Sequence, residues 1–208
     1  MASVVAYIDG FNLYHGLHDR YARRMLWLDL ERLAADLRPN DTLIAVRYFT
    51  AMVRSDPLGE ARQNVYIDAL KAHSTVPFNV VLGRFQPKQM SCRTCGATWM
   101  SYEEKETDIN IATSLISDAA TGSAEIALLV SADSDLCTAI KTARRVASRA
   151  GFRWQAVVAF PPRRRSSEIA SIAPAFTIGD YRIRHTQLPS TVIDPTTGQK
   201  FARPAYWS

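Results

Sequence analysis

The sequence predicts an α/β fold: a three-layer sandwich with helices on both faces of a mainly parallel sheet. Short, continuously apolar runs recur along the 208-residue chain, as strands buried on both faces do. Stretches with helical spacing separate them, the alternation that builds parallel sheets. Two of the runs lead directly into aspartates, Asp9 and the pair Asp133 and Asp135. Open α/β sheets bind their ligands at that end of their strands.

The first run, Val4 to Ile8, is short and wholly apolar and reads as a central strand. Residues 11–18 read as a helix beginning right after Asp9. Asp29 is a helix N-cap, Leu30, Leu33, Ala34 and Leu37 follow at helical spacing, and Pro39 and Asn40 end that helix. Residues 42–53 form the second strand candidate. Pro57 then opens a helix carrying Ala61, Val65, Ile67, Ala69 and Leu70. Residues 78–85 are a third strand, followed by a polar, hairpin-like insert over residues 86–100. The next helix starts between Ser101 and Thr107 and runs to about Ala120. A strand at residues 126–130, a helix over 136–150, a strand at 153–160, a short helix over 163–173 and a short strand at 176–178 complete the alternation. From residue 186 onward three prolines (Pro189, Pro195, Pro204) and the loss of helical period mark an extended tail, anchored by Phe201, Tyr206 and Trp207. The expected organisation is one domain over residues 1–185 with the tail, 186–208, packed on it.

The net charge of +5 conceals an asymmetry. Residues 1–139 carry 13 Lys and Arg against 17 Asp and Glu, whereas residues 140–208 carry 12 against 3. An acidic body with a basic C-terminal third fits a metal site beside a polyanion-binding surface, or a solvated arginine face. No apolar run reaches the length of a membrane-spanning helix, so no membrane partner is expected. The N-terminus has no basic region before its first strand, which points to a cytoplasmic protein. Three cysteines are too few for a disulfide framework.

Four acids can converge at the ligand edge: Asp9, Asp108, Asp133 and Asp135. Clustered carboxylates repel one another and shift their own pKa values unless a cation neutralises them. An all-oxygen donor set suits Mg²⁺ or Mn²⁺. The plainer reading is that each aspartate caps a helix.

Three stretches carry a resemblance: Ala6-Tyr7-Ile8-Asp9-Gly10-Phe11-Asn12-Leu13-Tyr14, Lys105-Glu106-Thr107-Asp108-Ile109-Asn110-Ile111-Ala112 and Leu129-Val130-Ser131-Ala132-Asp133-Ser134-Asp135-Leu136. Together they resemble the NYN domain family of PIN-like, metal-dependent ribonucleases, including its bacterial DUF88 branch. The resemblance implies a PIN-like fold, a Mg²⁺ or Mn²⁺ site and hydrolysis of RNA. It carries over Asp9, Asp108, Asp133 and Asp135 as metal-site acids, Asn12 as a polar residue at the exit of the first strand, and Ser131 and Ser134 as site-lining hydroxyls. Arg144, Arg145, Arg163, Arg164 and Arg165 would then hold flanking phosphates. Many relatives have glycine where this chain has Glu106 and Ala132. Glu106 reads as a further ligand or a surface charge.

Cys92 and Cys95, followed by Gly96, have the spacing of half a zinc site. Three readings stay open: a vestigial turn, a Zn²⁺ completed by histidines or by a second subunit of a homodimer, or a redox-labile thiol pair. His15 and His18 lie on one side of a helix and form a weaker metal pair. Phe11, Tyr14, Trp99 and Tyr102 are candidates for stacking on bases. Besides a ribonuclease, the sequence admits a non-catalytic RNA-binding or complex-forming protein. An oxidoreductase is the third reading, though no Gly-x-Gly-x-x-Gly follows the first strand.

Overall fold

The computed structural model describes residues 1–54 and 56–207, with the side chains of residues 101–104 left aside. In chain order its elements are β1 (Ser3–Asp9), α1 (Gly10–Tyr21), α2 (Leu30–Leu37), β2 (Thr42–Thr50), α3 (Pro57–His73), β3 (Phe78–Leu82), β4 (Arg84–Ser91), β5 (Thr98–Lys105) and α4 (Thr107–Thr121). They continue with β6 (Ile126–Val130), α5 (Cys137–Ala150), β7 (Gln155–Phe160), α6 (Ser167–Ile172), β8 (Ala175–Thr177), α7 (Asp180–His185), β9 (Thr191–Ile193) and β10 (Lys200–Ala202). Single 3₁₀ turns lie at Ser134–Leu136 and Ala205–Trp207.

Six strands form one parallel sheet in the order β3-β2-β1-β6-β7-β8. The order reverses between β1 and β6, which makes their shared C-terminal edge the switch point of a doubly wound sheet. Side chains alternate across the sheet with period two. Val4, Ala6 and Ile8 face Leu13 and Leu17 of α1, Leu30 and Leu33 of α2, and Tyr66 and Leu70 of α3. Val5 and Tyr7 face the other layer, with Ile111 and Leu115 of α4, Ile140 of α5 and Ile169 of α6. Each fully buried leucine or isoleucine contributes roughly 1.5–3 kcal/mol, so both layers are held by hydrophobic burial.

Local signals start most helices where the sequence predicts them. The side chains of Asp9, Asp29, Asp56 and Ser166 accept the first free N–H groups of α1, α2, α3 and α6. Elsewhere the outcome differs from the expectation. The insert is longer than residues 86–100, because β4 and β5 pair from Arg84 opposite Lys105 to Ser91 opposite Thr98. Residues 101–105 are therefore strand, and the helix begins only at Thr107. Backbone pairing in a hairpin does not require an apolar face, so polar composition concealed it. The helix expected from residue 163 starts at Ser167, after Arg163 takes a left-handed φ of 59° and Ser166 supplies the cap.

Beyond residue 185, Leu188, Val192, Phe201 and Trp207 join the core on the α1–α3 side. The Trp27 indole N–H donates to the Pro189 carbonyl at 2.7 Å. β9 and β10 pair as an antiparallel hairpin that lies on α3.

One buried polar cluster ties α4 to the sheet. The Tyr7 hydroxyl and the Arg47 guanidinium, at 2.7 Å, both donate to Asp118 of α4. Burial, and then the Asp118 carboxylate, push the Tyr7 hydroxyl well above its ordinary pKa, so it remains a donor.

Glu106, just before α4, has φ 81°, a region that costs a residue with a Cβ about 1–2 kcal/mol. Its carboxylate pairs with Arg84 of β4 at 2.6 Å, an exposed ion pair worth little. This explains why glycine suits the position. Ala132, the other such position, is not in the left-handed region. Glu106→Gly is expected to raise stability by about 0.5–1 kcal/mol after the entropic cost of glycine, read by denaturant melts. Asp118→Ala, which strands Tyr7 and Arg47, is expected to lower it by about 3 kcal/mol in the same assay.

Candidate carboxylate site

The register of β1 on β6 builds this site. Ile8 lies opposite Val130, so the next residues, Asp9 and Ser131, emerge side by side. Both continue the alternation that points Val5, Tyr7 and Leu129 toward α4 and α5. Asp9 is 4% exposed and Ser131 is fully buried. The Ser131 hydroxyl donates to Asp9 Oδ2 at 2.8 Å, and the Asn12 backbone N–H donates to Asp9 Oδ1 at 2.9 Å.

The loop after β6 is fixed to the start of α1 by further bonds. The Ala132 N–H donates to Asn12 Oδ1 at 3.1 Å. The Asp133 N–H donates to Ser131 Oγ at 3.1 Å, and the Asp135 N–H donates to Asp133 Oδ1 at 2.9 Å. Asp133 is thus the cap of the 3₁₀ turn that leads into α5. Asp135 caps nothing: α5 begins at Cys137 without a side-chain cap, and its carboxylate is exposed. Ser134 is partly buried in the same turn. Asp108 lies in the first turn of α4.

Burial pushes the Asp9 carboxyl from its ordinary 3.8 up to about 6. The bonds from Asn12 and Ser131 oppose that shift, and the charges of Asp108 and Asp133 reinforce it. Asp108 and Asp133 each lie close enough to Asp9 to oppose its ionisation. Among the described residues, no three His, Cys, Asp or Glu side chains are grouped so as to hold an ion. Each oxygen of Asp9 accepts one hydrogen bond and keeps a second acceptor direction. The donor chemistry, oxygen-only with like charges partly desolvated, fits Mg²⁺ or Mn²⁺.

The arginines are placed unequally. Arg163, Arg164 and Arg165 follow Pro161 and Pro162 at the C-terminal end of β7, on the same sheet edge as the acids. Arg163 and Arg165 are exposed, while Arg164 pairs with Asp19 of α1. Arg144 and Arg145 lie midway along α5, about 10 Å along its axis from the acidic edge. Arg144 donates to the Ile172 carbonyl at 2.6 Å. His15 and His18 both lie against the Tyr14 ring, with centroids 5.4 and 5.8 Å away. Phe11 packs edge-on against Phe85 at 5.8 Å, and Trp99 is half exposed on β5. The Tyr102 side chain lies outside the described residues.

A cavity of about 390 Å³ lies on the α1–α3 side of the sheet, lined by Gly10, Tyr14, Thr50, Arg62, Gln63 and Tyr206 among others, with none of Asp9, Asp108, Asp133 and Asp135 in its lining. The Tyr206 ring lies against the guanidinium groups of Arg23, at 4.3 Å, and Arg62, at 4.6 Å. Sequence reasoning missed this cluster, because its members come from segments far apart in the chain and share no motif. A Cβ on Gly10 would meet the Phe49 carbonyl at 2.6 Å, so glycine is what allows α1 to start this close to β2.

A doubly wound parallel sheet flanked by helices, with aspartates at its switch point, defines a PIN-like α/β domain. The chain belongs to the NYN domain family, whose model matches residues 3–177, and this family is nuclease-like. No curated protein matches the chain. A protein of unknown function from Vibrio parahaemolyticus superposes with a TM-score of 0.58 at 19% identity, over 86% of this chain and 94% of that one. Two Sir2 homologues align far more loosely. A mutant bound to ADP-ribose has a TM-score of 0.37 at 12% identity, over 88% of this chain and 91% of its own. One bound to NAD has 0.37 at 13%, over 88% and 89%.

The Asp9 shift has a consequence for stability. A carboxyl whose folded pKa lies above its unfolded value holds its proton longer in the folded state. Stability therefore falls as pH rises from about 4 to about 6, by up to ~3 kcal/mol. Asp9→Asn keeps an acceptor for the Asn12 N–H and removes the buried charge. In chelator-treated protein it is expected to melt above the wild type at pH 7.5 and to flatten the pH dependence in that window, as read by thermal melts across pH.

Proposed function

We propose that the protein is a metal-dependent endoribonuclease that hydrolyses RNA phosphodiester bonds at Asp9, Asp108, Asp133 and Asp135. The observation that carries this reading is Asp9, a buried carboxylate at the switch point whose ionisation is opposed by Asp108 and Asp133. A purely structural cap has no need of two further acids around it. Asp9, Asp108 and Asp133 would hold a Mg²⁺ or Mn²⁺ ion, with Asp135 beside them. When bound, such an ion lowers the pKa of a water and offsets charge on phosphate oxygens.

The chain's own residues supply the rest. Ser131 and the Asn12 N–H fix both oxygens of Asp9, so that its carboxylate cannot rotate. The Asn12 side chain holds the Ala132 N–H, which sets the path of the loop bearing Asp133, Ser134 and Asp135. Arg163 and Arg165 bind phosphates flanking the scissile bond. Arg164 and Arg144 would have to leave Asp19 and the Ile172 carbonyl to do the same, and Arg145, farther along α5, would meet only a longer RNA. The cavity beside Gly10 takes a neighbouring base, with Tyr14 and Arg62 at its walls.

A second reading has its own support. Asp9 and Asp133 both serve as caps, which suits an RNA-binding member of the family that does not cleave. One experiment separates the two. With Mn²⁺ and a mixed RNA pool, the wild type is expected to cleave, and Asp133→Asn, which can still cap its turn, to cleave on the order of 100-fold slower or less. RNA affinity should change little. Cleavage by the variant at wild-type rate would sink the nuclease reading, and RNA binding without cleavage by the wild type would favour the second.

A further inference from the structure

We propose that Cys92 and Cys95 form half of a zinc site that is completed by the same two cysteines of a second copy of this chain. The two residues lie in the turn between β4 and β5, at the tip of a two-stranded arm that, among the described residues, pairs with no other strand. The turn is closed by two backbone hydrogen bonds. The Cys92 N–H donates to the Ala97 carbonyl at 2.8 Å, and the Gly96 N–H to the Cys92 carbonyl at 2.9 Å. Gly96 has φ 70° with nothing within 4 Å of where a Cβ would be, so glycine is there for the backbone turn and not for want of space. Neither cysteine is in a disulfide, and Cys95 is exposed.

Structural zinc takes four ligands in a tetrahedron, and this turn offers two. The chain's remaining cysteine cannot supply a third. Cys137 begins α5 and packs against the core on that face of the sheet, whereas the ladder carries the turn roughly 25 Å from the body. Glu103 and Glu104 pair with Gln86 and Phe85, at the body end of the ladder.

The surface beside the turn indicates what completes the site. Met90 and Trp99 face each other across the ladder next to it and are 36% and 50% exposed, with Met100 at 57%. An apolar group at the end of an otherwise polar arm is what a contact between copies would cover. A two-fold axis through the ion relates one cysteine pair to the other, and a two-fold interface must be self-complementary. Two identical cysteine pairs with two identical apolar pairs beside them meet that condition. Four thiolates then surround the zinc.

The test uses the full-length protein, stripped of metal under reducing conditions and titrated with zinc alone. Bound zinc is read by elemental analysis and mass by sedimentation. One zinc per two chains and a doubled mass are expected. Cobalt(II) in place of zinc should give the intense sulfur-to-metal absorption of a four-thiolate site. Cys92→Ser and Cys95→Ser should each stay single and bind no zinc, with an unfolding midpoint matching that of the metal-free wild type, since the core does not depend on the turn. Asp133→Asn should bind zinc and pair as the wild type does, which separates this site from the carboxylate site. One zinc per chain without pairing would overturn the proposal. So would no zinc at all, or a dimer that persists in Cys92→Ser.

Discussion

The parallel pairing of β1 with β6 is the constraint on which the rest depends. Its register places Ile8 opposite Val130, so the two chains leave the sheet at the same level and Ser131 can donate to Asp9. A slip of one residue would turn Asp9 toward α1 and the opposite core, since strand side chains alternate. Hydrophobic alternation forbids the slip. Val5, Tyr7 and Leu129 are buried on the α4–α5 face, and Val4, Ala6, Ile8 and Val130 on the other. The packing that holds the sheet together thus also decides which layer the acids face, and it is the layer whose helix carries Asp108.

The electrostatics follow from that placement. Burial is the largest influence on Asp9, and the hydrogen bonds from Asn12 and Ser131 only partly offset it. Burying a charge is costly unless it is paired or bonded, and Asp108 and Asp133 add repulsion rather than relief. Tyr7 and Asp118 lie deeper in the same layer and show the other solution. There the carboxylate meets a guanidinium and a hydroxyl and is satisfied. The contrast is local: one buried acid of this layer is matched by a cation from the chain itself, and the other is left with like charges as neighbours.

Much of this was legible in the sequence, for physical reasons. Continuous apolar runs such as residues 4–8 and 126–130 have few other places to go than the centre of a parallel sheet. Capping residues such as Asp9 and Asp29 act within a few residues of themselves, so they can be read locally. The strand-end aspartates were visible because both signals coincide there. The hairpin of β4 and β5 was underestimated because its pairing is made by backbone groups that every sequence has. The cavity flanked by Arg23, Arg62 and Tyr206 was missed because it depends on the C-terminal segment folding back over α1 and α3. That segment shows only prolines and scattered aromatics. Its packing is a tertiary fact carried by Trp27, whose indole reaches Pro189, and by Trp207, which lies against Trp27 and Tyr66.

The arm and the carboxylate site are not independent in the chain. β5 ends at Lys105, Glu106 makes the left-handed turn, and Asp108 stands in the first turn of α4. Two residues, Glu106 and Thr107, thus separate a strand of the arm from one of the acids. Glu106 also reaches back to Arg84 at the base of β4, so the strained residue is clamped between the arm and the helix. Backbone strain persists only where surrounding structure over-determines it. Here the determinants are the eight-pair ladder on one side and, on the other, the buried face of α4, with Ile111 and Leu115 in the core. A force on the arm therefore passes through the segment that sets the position of Asp108, whereas Asp9 and Asp133 are tied to β1 and β6 and lie outside that path.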